Sequence, residues 1–424
     1  MTYQETLAYI YGLGRFGMKP GLEKITALLG ALGNPQDRIK SIHVAGTNGK
    51  GSTASFLTSI IQRAGYKAGL FTSPHLVRFT ERIRINGEEI TPEDVTRIAK
   101  LTMSAAPPET TFFELVTAMA WVYFSERKVD LAVMETGMGG RFDATNSATG
   151  IISVITPISL EHCAYLGNSL GEIAFEKAGV IKPGSPVVSA IQDQEVLDVI
   201  VKECTRLFSP LYRCGDEFGG MWENDSLNYS GIRTTLKNLK PGMAGRYQGG
   251  NAVSALASAE LLEGMGFSLP KSALRSGIEL ATWPGRMEMI GKEPRILLDG
   301  AHNPAGALVL AEELGGIPRN RLILVAGVMA DKDAEGIFKP LFPLAERVYA
   351  VKPALERAMS SDRLAAFCRS FGVNCIDAGT VAEGLDQAKK AACPGDLILV
   401  CGSLFTIGEA RAIICSEPFE PFRG

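Results

Sequence analysis

"SIHVAGTNGKGSTASF", residues 41–56, joins a short apolar run to a glycine-rich turn with one lysine and then to an amphipathic stretch. The run at 42–45, interrupted by His43, predicts a strand. Phe56, Leu57, Ile60, Ile61 and Ala64 fall on one helical face, and Gly65 closes it. A strand that feeds a helix through such a turn leaves unpaired backbone N–H groups and the positive helix end aimed at one point. Gly46, Gly49 and Gly51 let the backbone bend and come close to a ligand. Lys50 offers a compact charge to terminal phosphates, and the hydroxyls of Ser52 and Thr53 lie where a metal would accompany them. A plain turn with a surface lysine is the competing reading. Three glycines, a lysine and two hydroxyls crowded at a strand–helix junction favour a nucleotide phosphate. The spacing departs from the common G-x-x-x-x-G-K-[ST], because Gly51 separates Lys50 from Ser52.

Outward from this loop, apolar runs alternate with helical patterns. "KAGLFTSPHL" reads as a second strand ending in a Ser-Pro break, and Asn86-Gly87 inside "RIRINGEEI" signals a hairpin. Further buried strands are expected at 130–140, 150–158 and 185–190. Continuous apolar strands separated by helices predict a parallel sheet covered on both faces. "WENDSLNYSGIRTTL" is polar and alternating, an antiparallel hairpin by pattern. The turn Pro284-Gly285 then sets a boundary between residues 1–283 and 284–424. Beyond it the rhythm restarts: strand 295–299, helix 305–315, strand 321–327, a helix, strand 347–351, helices 361–371 and 380–392, and strand 396–401. The expected fold is α/β in two domains: a P-loop-type, mainly parallel sheet with helices on both faces, and a smaller Rossmann-like domain.

Bulk properties narrow the function classes. The chain has 424 residues, 46% hydrophobic and 21% charged, with net charge -3. No basic stripe calls for a nucleic-acid partner. No apolar stretch approaches the roughly 18 residues of a membrane span. The opening residues show no secretory pattern, and none of the eight cysteines forms a C-x-x-C pair. Reduced thiols in a cytoplasmic protein, most simply a monomer, are expected.

Four more stretches carry candidate chemistry. In "AVMETGMGGRFDATN" Glu135 ends a buried strand, where parallel sheets bind ligands. Beside a phosphate loop such a carboxylate suits Mg²⁺, a cation that favours oxygen ligands. His162 follows another strand end; alone, it would be a satisfied structural residue. Lys177, in a helix-like turn, reads by itself as a lysine snorkelling to the surface. Asn251, opening a helix, reads as a cap.

"HVAGTNGKGST" resembles the loop of the ATP-dependent amide ligases: the Mur ligases and, more closely, folylpolyglutamate synthase and dihydrofolate synthase. The resemblance runs from "GLEKI" to "GSLF", with six motifs in the family's order. It implies an ATP site at Thr47, Asn48, Gly49, Lys50, Gly51 and Ser52, with Asn251, Arg286 and Asp299. It implies magnesium ligands at Ser73 (in "TSPH"), Glu135 and His162. Two ions are expected, one supported by a carbamylated Lys177 in "EKAGVIK". It places a pteridine pocket at Phe112, Phe113 and Glu114, pteroate contacts at Phe142, Asp143 and Ala144, and Ser403 towards glutamate. His302, in "DGAHNP", is carried over as an active-site residue alongside Lys50 and Lys177. Two positions depart from the family: Phe142 replaces leucine, and Glu161 replaces the aspartate before His162. The implied substrates are ATP, L-glutamate and dihydropteroate or tetrahydrofolate. A Mur-type ligase, a small-molecule kinase and a nucleotide-dependent switch are the alternatives.

Overall fold

The computed structural model describes residues 1–16 and 21–421. Eight strands form the first sheet: β1 (Lys40–Ala45), β2 (Ala68–Phe71), β3 (Ile83–Ile85), β4 (Glu88–Glu89), β5 (Leu131–Glu135), β6 (Gly150–Ile155), β7 (Val187–Ser189) and β8 (Leu211–Arg213). Their order is β4-β3-β2-β5-β1-β6-β7-β8. The six from β2 to β8 run parallel, and the hairpin β3–β4 closes one edge antiparallel. β1 lies at the centre, and every residue from Ser41 to Ala45 is buried. This is why it shows a nearly continuous apolar run.

One face of this sheet is covered by helices Lys50–Arg63, Gln248–Glu263 and Lys271–Glu279. Phe56, Leu57, Ile60 and Ile61 are fully buried there, each contributing about 1.5–3 kcal/mol of hydrophobic stabilisation. The other face carries Tyr3–Gly12, Glu23–Ala31, Pro92–Ala105 and Phe112–Glu126. The polar segment expected as a hairpin has three antiparallel strands: β9 (Gly219–Glu223), β10 (Ser226–Ser230) and β11 (Thr235–Leu239).

The second sheet consists of β12 (Glu288–Ile290), β13 (Arg295–Leu298), β14 (Leu322–Ala326), β15 (Arg347–Lys352), β16 (Cys375–Thr380) and β17 (Leu397–Cys401), in the order β12-β13-β17-β14-β15-β16. It too has apolar clusters on both faces. Two of its strands have no counterpart in the sequence reading. β12 is a three-residue antiparallel edge. β16, "CIDAGT", is an edge strand with only two of six residues buried, so it shows no apolar run. No helix among the described residues is long and apolar enough to cross a membrane.

The central strand also sets an acid response. His43 is fully buried; one ring nitrogen lies 3.3 Å from Ser41 Oγ, and Nδ1 has no partner among the described residues. Burial pushes its pKa down to about 3, with Lys182 adding to the effect. Burial also holds His75 well below the usual range, with Arg82 reinforcing it. Below about pH 6.5 the unfolded chain therefore binds protons that the fold excludes, and each such histidine removes up to about 1.4 kcal/mol of stability per pH unit. The urea midpoint should fall between about pH 6.5 and 5, and His43→Leu should flatten that fall by about one proton. Parallel pH profiles for variant and parent would refute the assignment.

Candidate active site

The phosphate-type loop is built by three contacts that demand glycine. Gly46 (φ 145°) leads β1 into the turn, and a Cβ there would collide with Thr156 Oγ1. Gly49 (φ 88°) caps helix Lys50–Arg63 in the left-handed region, against Asn251 Oδ1. At Gly51 a Cβ would stand 2.9 Å from Trp283 Nε1, so the unusual glycine after the lysine lets Trp283 pack against the helix start. The turn is also pinned to the end of β6: Thr47 and Asn48 N–H both donate to Pro157 O (3.0 and 3.2 Å).

Two ammonium groups converge on this turn. Lys50 Nζ donates to the carbonyls of Gly46 and Thr47, both at 3.1 Å. Lys177 Nζ donates to the same Gly46 carbonyl at 2.5 Å and to Glu161 Oε1 at 2.7 Å. Lys177 is only 1% exposed, so it does not snorkel. Burial and the nearby Lys50 pull its pKa down to about 8, against the opposing pull of Glu161. Glu161 is held at about 2: burial opposes ionisation, and the charges of Lys177 and Lys50 outweigh it. Two cations on one carbonyl, with a single carboxylate between them, leave an excess of positive charge at a helix N-terminus.

A cavity of about 540 Å³ opens beside the loop, between the two sheets' bodies. Phe112, Phe113, Glu114, Phe142, Asp143 and Ala144 line it from one side; His302, Lys332, Arg357 and Ser403 line it from the other. Ser73 and His162 also border it. A smaller cleft adjoins, lined by Gly51, Ser73, Glu135, Trp283 and Arg286 among others. Ser73 is in both walls, and its backbone N–H donates to Glu135 Oε2 at 3.1 Å. Burial pushes the Glu135 carboxyl up, while Lys50, Arg286 and Arg82 pull it down. The Glu135 carboxylate and Ser73 meet at this seam and His162 borders the large cavity, so oxygen and nitrogen donors of the kind a divalent cation takes are present. Among the described residues no cluster of three His, Cys, Asp or Glu side chains could hold a metal unaided.

Several carboxylates do structural work as well. Asp143 accepts from Gly137 and Met138 N–H on one oxygen, and from Thr145 N–H and Oγ1 on the other (2.6–3.0 Å). Its side chain thus shapes the loop that lines the cavity. Glu114 completes a capping box with Thr111, its Oε2 accepting from Thr111 N–H at 2.7 Å.

Thr47, Asn48, Gly49, Lys50, Ser52, Lys177, Asn251 and Asp299 border neither cleft. Asn251 lies inside helix Gln248–Glu263, not at its cap, with Oδ1 accepting from Thr53 Oγ1 (3.4 Å) and Nδ2 donating to Gln248 (2.8 Å). Asp299 follows β13 and accepts from Met287 N–H (3.0 Å), Ala301 N–H (2.9 Å) and Tyr247 Oη (3.4 Å). His302 Nδ1 lies 2.8 Å from the Gly300 carbonyl, which places the proton on Nδ1 and leaves Nε2 as acceptor. Burial lowers its pKa to about 4, so the ring is neutral.

Sequence reasoning missed two features. Asn48 of the loop and Asn303 of the second body exchange reciprocal amide hydrogen bonds (3.3 and 2.9 Å), and Asn303 also caps helix Pro304–Gly315. The charged wall combines Asp331 and Lys332, which follow β14, with Arg357, which follows β15; for the first two, "ADKDAEG" after a buried strand was the available signal.

Two family patterns match the chain: "Mur ligase middle domain" over residues 44–259 and "Mur ligase, glutamate ligase domain" over 285–404. The dihydrofolate synthase/folylpolyglutamate synthase of Bacillus subtilis is 36% identical, over 96% of this chain and 98% of that protein. The structure of E. coli FolC in complex with DHPP and ADP is similar with a TM-score of 0.91 at 31% identity, covering 98% of each chain. A bifunctional folylpolyglutamate synthase/dihydrofolate synthase with Mn, AMPPNP and L-glutamate bound gives 0.87 at 29% identity, over 97% and 98%. With both domain patterns matched and relatives similar over nearly the whole chain, the chain belongs to the dihydrofolate synthase/folylpolyglutamate synthase family of Mur ligases.

Proposed function

We infer that the protein is an ATP-dependent ligase that adds L-glutamate to dihydropteroate, to reduced folates, or to both. The supporting observation is Ser73, which stands in the wall of both the aromatic cavity and the cleft that reaches the loop at Gly51. An acceptor held in the cavity would thereby present its carboxylate to the phosphate end of ATP.

The chemistry needs two displacements. The acceptor carboxylate attacks the γ-phosphorus; the bond to the β-bridging oxygen breaks, and ADP leaves. The α-amine of glutamate then attacks the acyl carbon, phosphate leaves and one proton is lost. A free carboxylate is a poor electrophile, and phosphorylation gives it a leaving group. Thr47, Asn48, Gly49, Gly51 and Ser52 would cradle the phosphates with Lys50, and Asn251, Arg286 and Asp299 would hold the rest of ATP. The residues fitted to hold magnesium are Ser73, Glu135 and His162, with Lys177 as a carbamate supporting a second ion; when bound, the metal neutralises phosphate charge. His302 Nε2 would accept a proton from the amine. The domain boundary at residue 284 divides this work, and we place the enzyme in the cytoplasm as a monomer.

The amino-acid end has a physical counterpart on the second body. Lys332 and Arg357 offer two cations, and Asp331 one anion, to a molecule with two carboxylates and an ammonium. Lys332→Ala should raise KM for glutamate about tenfold, while KM for ATP stays within about twofold. An unchanged glutamate KM would remove Lys332 from this role. Phosphate release tests the whole reading: a ligase requires glutamate together with a pteroate or folate. A kinase requires one acceptor, and a switch requires neither.

A further inference from the structure

The segment that follows the last helix, Leu404–Cys415, crosses back from the second body to the first. Glu417 accepts from Arg411 Nη1 at 2.9 Å and also pairs with Arg78 of the first body. Arg78 in turn pairs with Glu89 at 3.1 Å. Glu420 alone makes four contacts. Its N–H donates to Val77 O (2.9 Å), and its Oε2 accepts from Phe79 N–H (2.9 Å) and Tyr3 Oη (3.0 Å). Its carbonyl lies 3.1 Å from His75 Nε2.

His75, Val77, Arg78 and Phe79, four of the residues contacted, belong to the loop that begins at Ser73. Inside that loop the Glu81 carboxylate accepts from Leu76, Val77 and Arg78 N–H (2.8–2.9 Å), so the loop is stapled from within. Glu420 grips it from without. The grip passes inward through His75. Arg82 Nε donates to His75 Nδ1 at 2.8 Å, which puts the ring proton on Nε2, facing the Glu420 carbonyl. Arg82 is 1% exposed, borders the large cavity, and holds its guanidinium 5.1 Å from the centre of the Phe112 ring. An aromatic slot thus has a fork of donors at Arg82 and a carboxylate at Glu114 in its wall. That pair complements the edge of a pterin-type ring, which alternates carbonyl and ring-nitrogen acceptors with N–H donors.

We propose that Glu420 is a positioning residue for the acceptor substrate: by holding the 75–79 loop and the His75 ring, it orients Arg82 as the donor that recognises the acceptor's heterocycle. Recognition on the first body then depends on a contact supplied by the second. The proposal rests on the ligase reading above for the identity of the acceptor.

Glu420→Ala removes the side-chain hold on Phe79 N–H and Tyr3 Oη that keeps the Glu420 backbone seated on Val77 and His75, and should raise the acceptor's KM about tenfold, with KM for ATP and glutamate within about twofold. Glu420→Gln should recover most of the loss, because its amide oxygen still accepts from Phe79 N–H and Tyr3 Oη. Arg82→Lys should show the same acceptor defect, and Glu420→Ala added to it should cost little more, as expected for one coupled path. Dihydropteroate binding, read by quenching of intrinsic fluorescence without turnover, should weaken by the same factor in Glu420→Ala. An acceptor affinity unchanged in that variant overturns the proposal. So does a parallel rise of all three KM values with a lowered Tm, the mark of a purely structural strap. Failure of the ligase reading is separately visible, as parent protein that binds dihydropteroate yet releases no phosphate when glutamate and ATP are added.

Discussion

Lys50→Ala should lose ligation by about 10³-fold or more in kcat/KM while keeping its fold. The side chain curls back over the turn and is already ordered on the carbonyls of Gly46 and Thr47. Charge held in place before the reaction is worth far more than charge that must be gathered during it. Stability should hardly change. Lys50 is the first residue of its helix, only partly buried, and alanine suits that position; about 1 kcal/mol covers the lost hydrogen bonds. Lys50→Arg should also fail, because a planar fork does not replace a point charge within a turn this tight. The measurements are glutamate-dependent phosphate release and the thermal midpoint. A Lys50→Ala enzyme with near-parental turnover would remove the loop from the chemistry.

The loop could be read from sequence because its signal is local. A strand, three glycines, a lysine and a helix pattern are contiguous, and the structure keeps them contiguous as β1 and helix Lys50–Arg63. The alternation of buried strands and helices gave both sheets for the same reason. What sequence could not show are effects of distant residues. Gly51 looks like a spacing anomaly until Trp283, more than 200 positions away, is found against it. Residue type alone made Lys177 a surface lysine and Asn251 a cap; only the folded chain buries the one beside Glu161 and sets the other within a helix against Gly49. β16 escaped because an edge strand buries too little to leave a pattern. The Asn48–Asn303 pair and the Glu420 contacts join segments hundreds of residues apart, and no periodicity records such a pairing.

Lys177→Met should cost both stability and activity, and a second substitution should separate the two. Removing the ammonium leaves Glu161 buried without its 2.7 Å partner, at a cost of about 3–5 kcal/mol. Lys177→Met with Glu161→Gln removes both charges and should recover much of the stability but not the ligation. Equal recovery of both would make Lys177 a purely structural residue. The carbamate places a further demand on this pair. Addition of CO₂ needs the neutral amine: the ammonium first gives up one proton, the amine nitrogen then bonds the carbon and a second proton is lost, so that a cation becomes an anion. With the pKa lowered to about 8, roughly a tenth of Lys177 is neutral at pH 7, against less than a thousandth for an ordinary lysine. The product, however, would face the Glu161 carboxylate that now neutralises the ammonium. Two buried anions at this range repel unless a cation lies between them. Carbamate formation should therefore depend on divalent metal, and Glu161→Gln should weaken that dependence. A carbon NMR signal from labelled bicarbonate, followed with and without magnesium, reads this directly. Partial rescue of Lys177→Ala by short carboxylic acids should accompany it. Fully active enzyme in saturating bicarbonate and magnesium without a carbamate signal would establish Lys177 as a plain ammonium, held by Glu161 to steady the loop at Gly46.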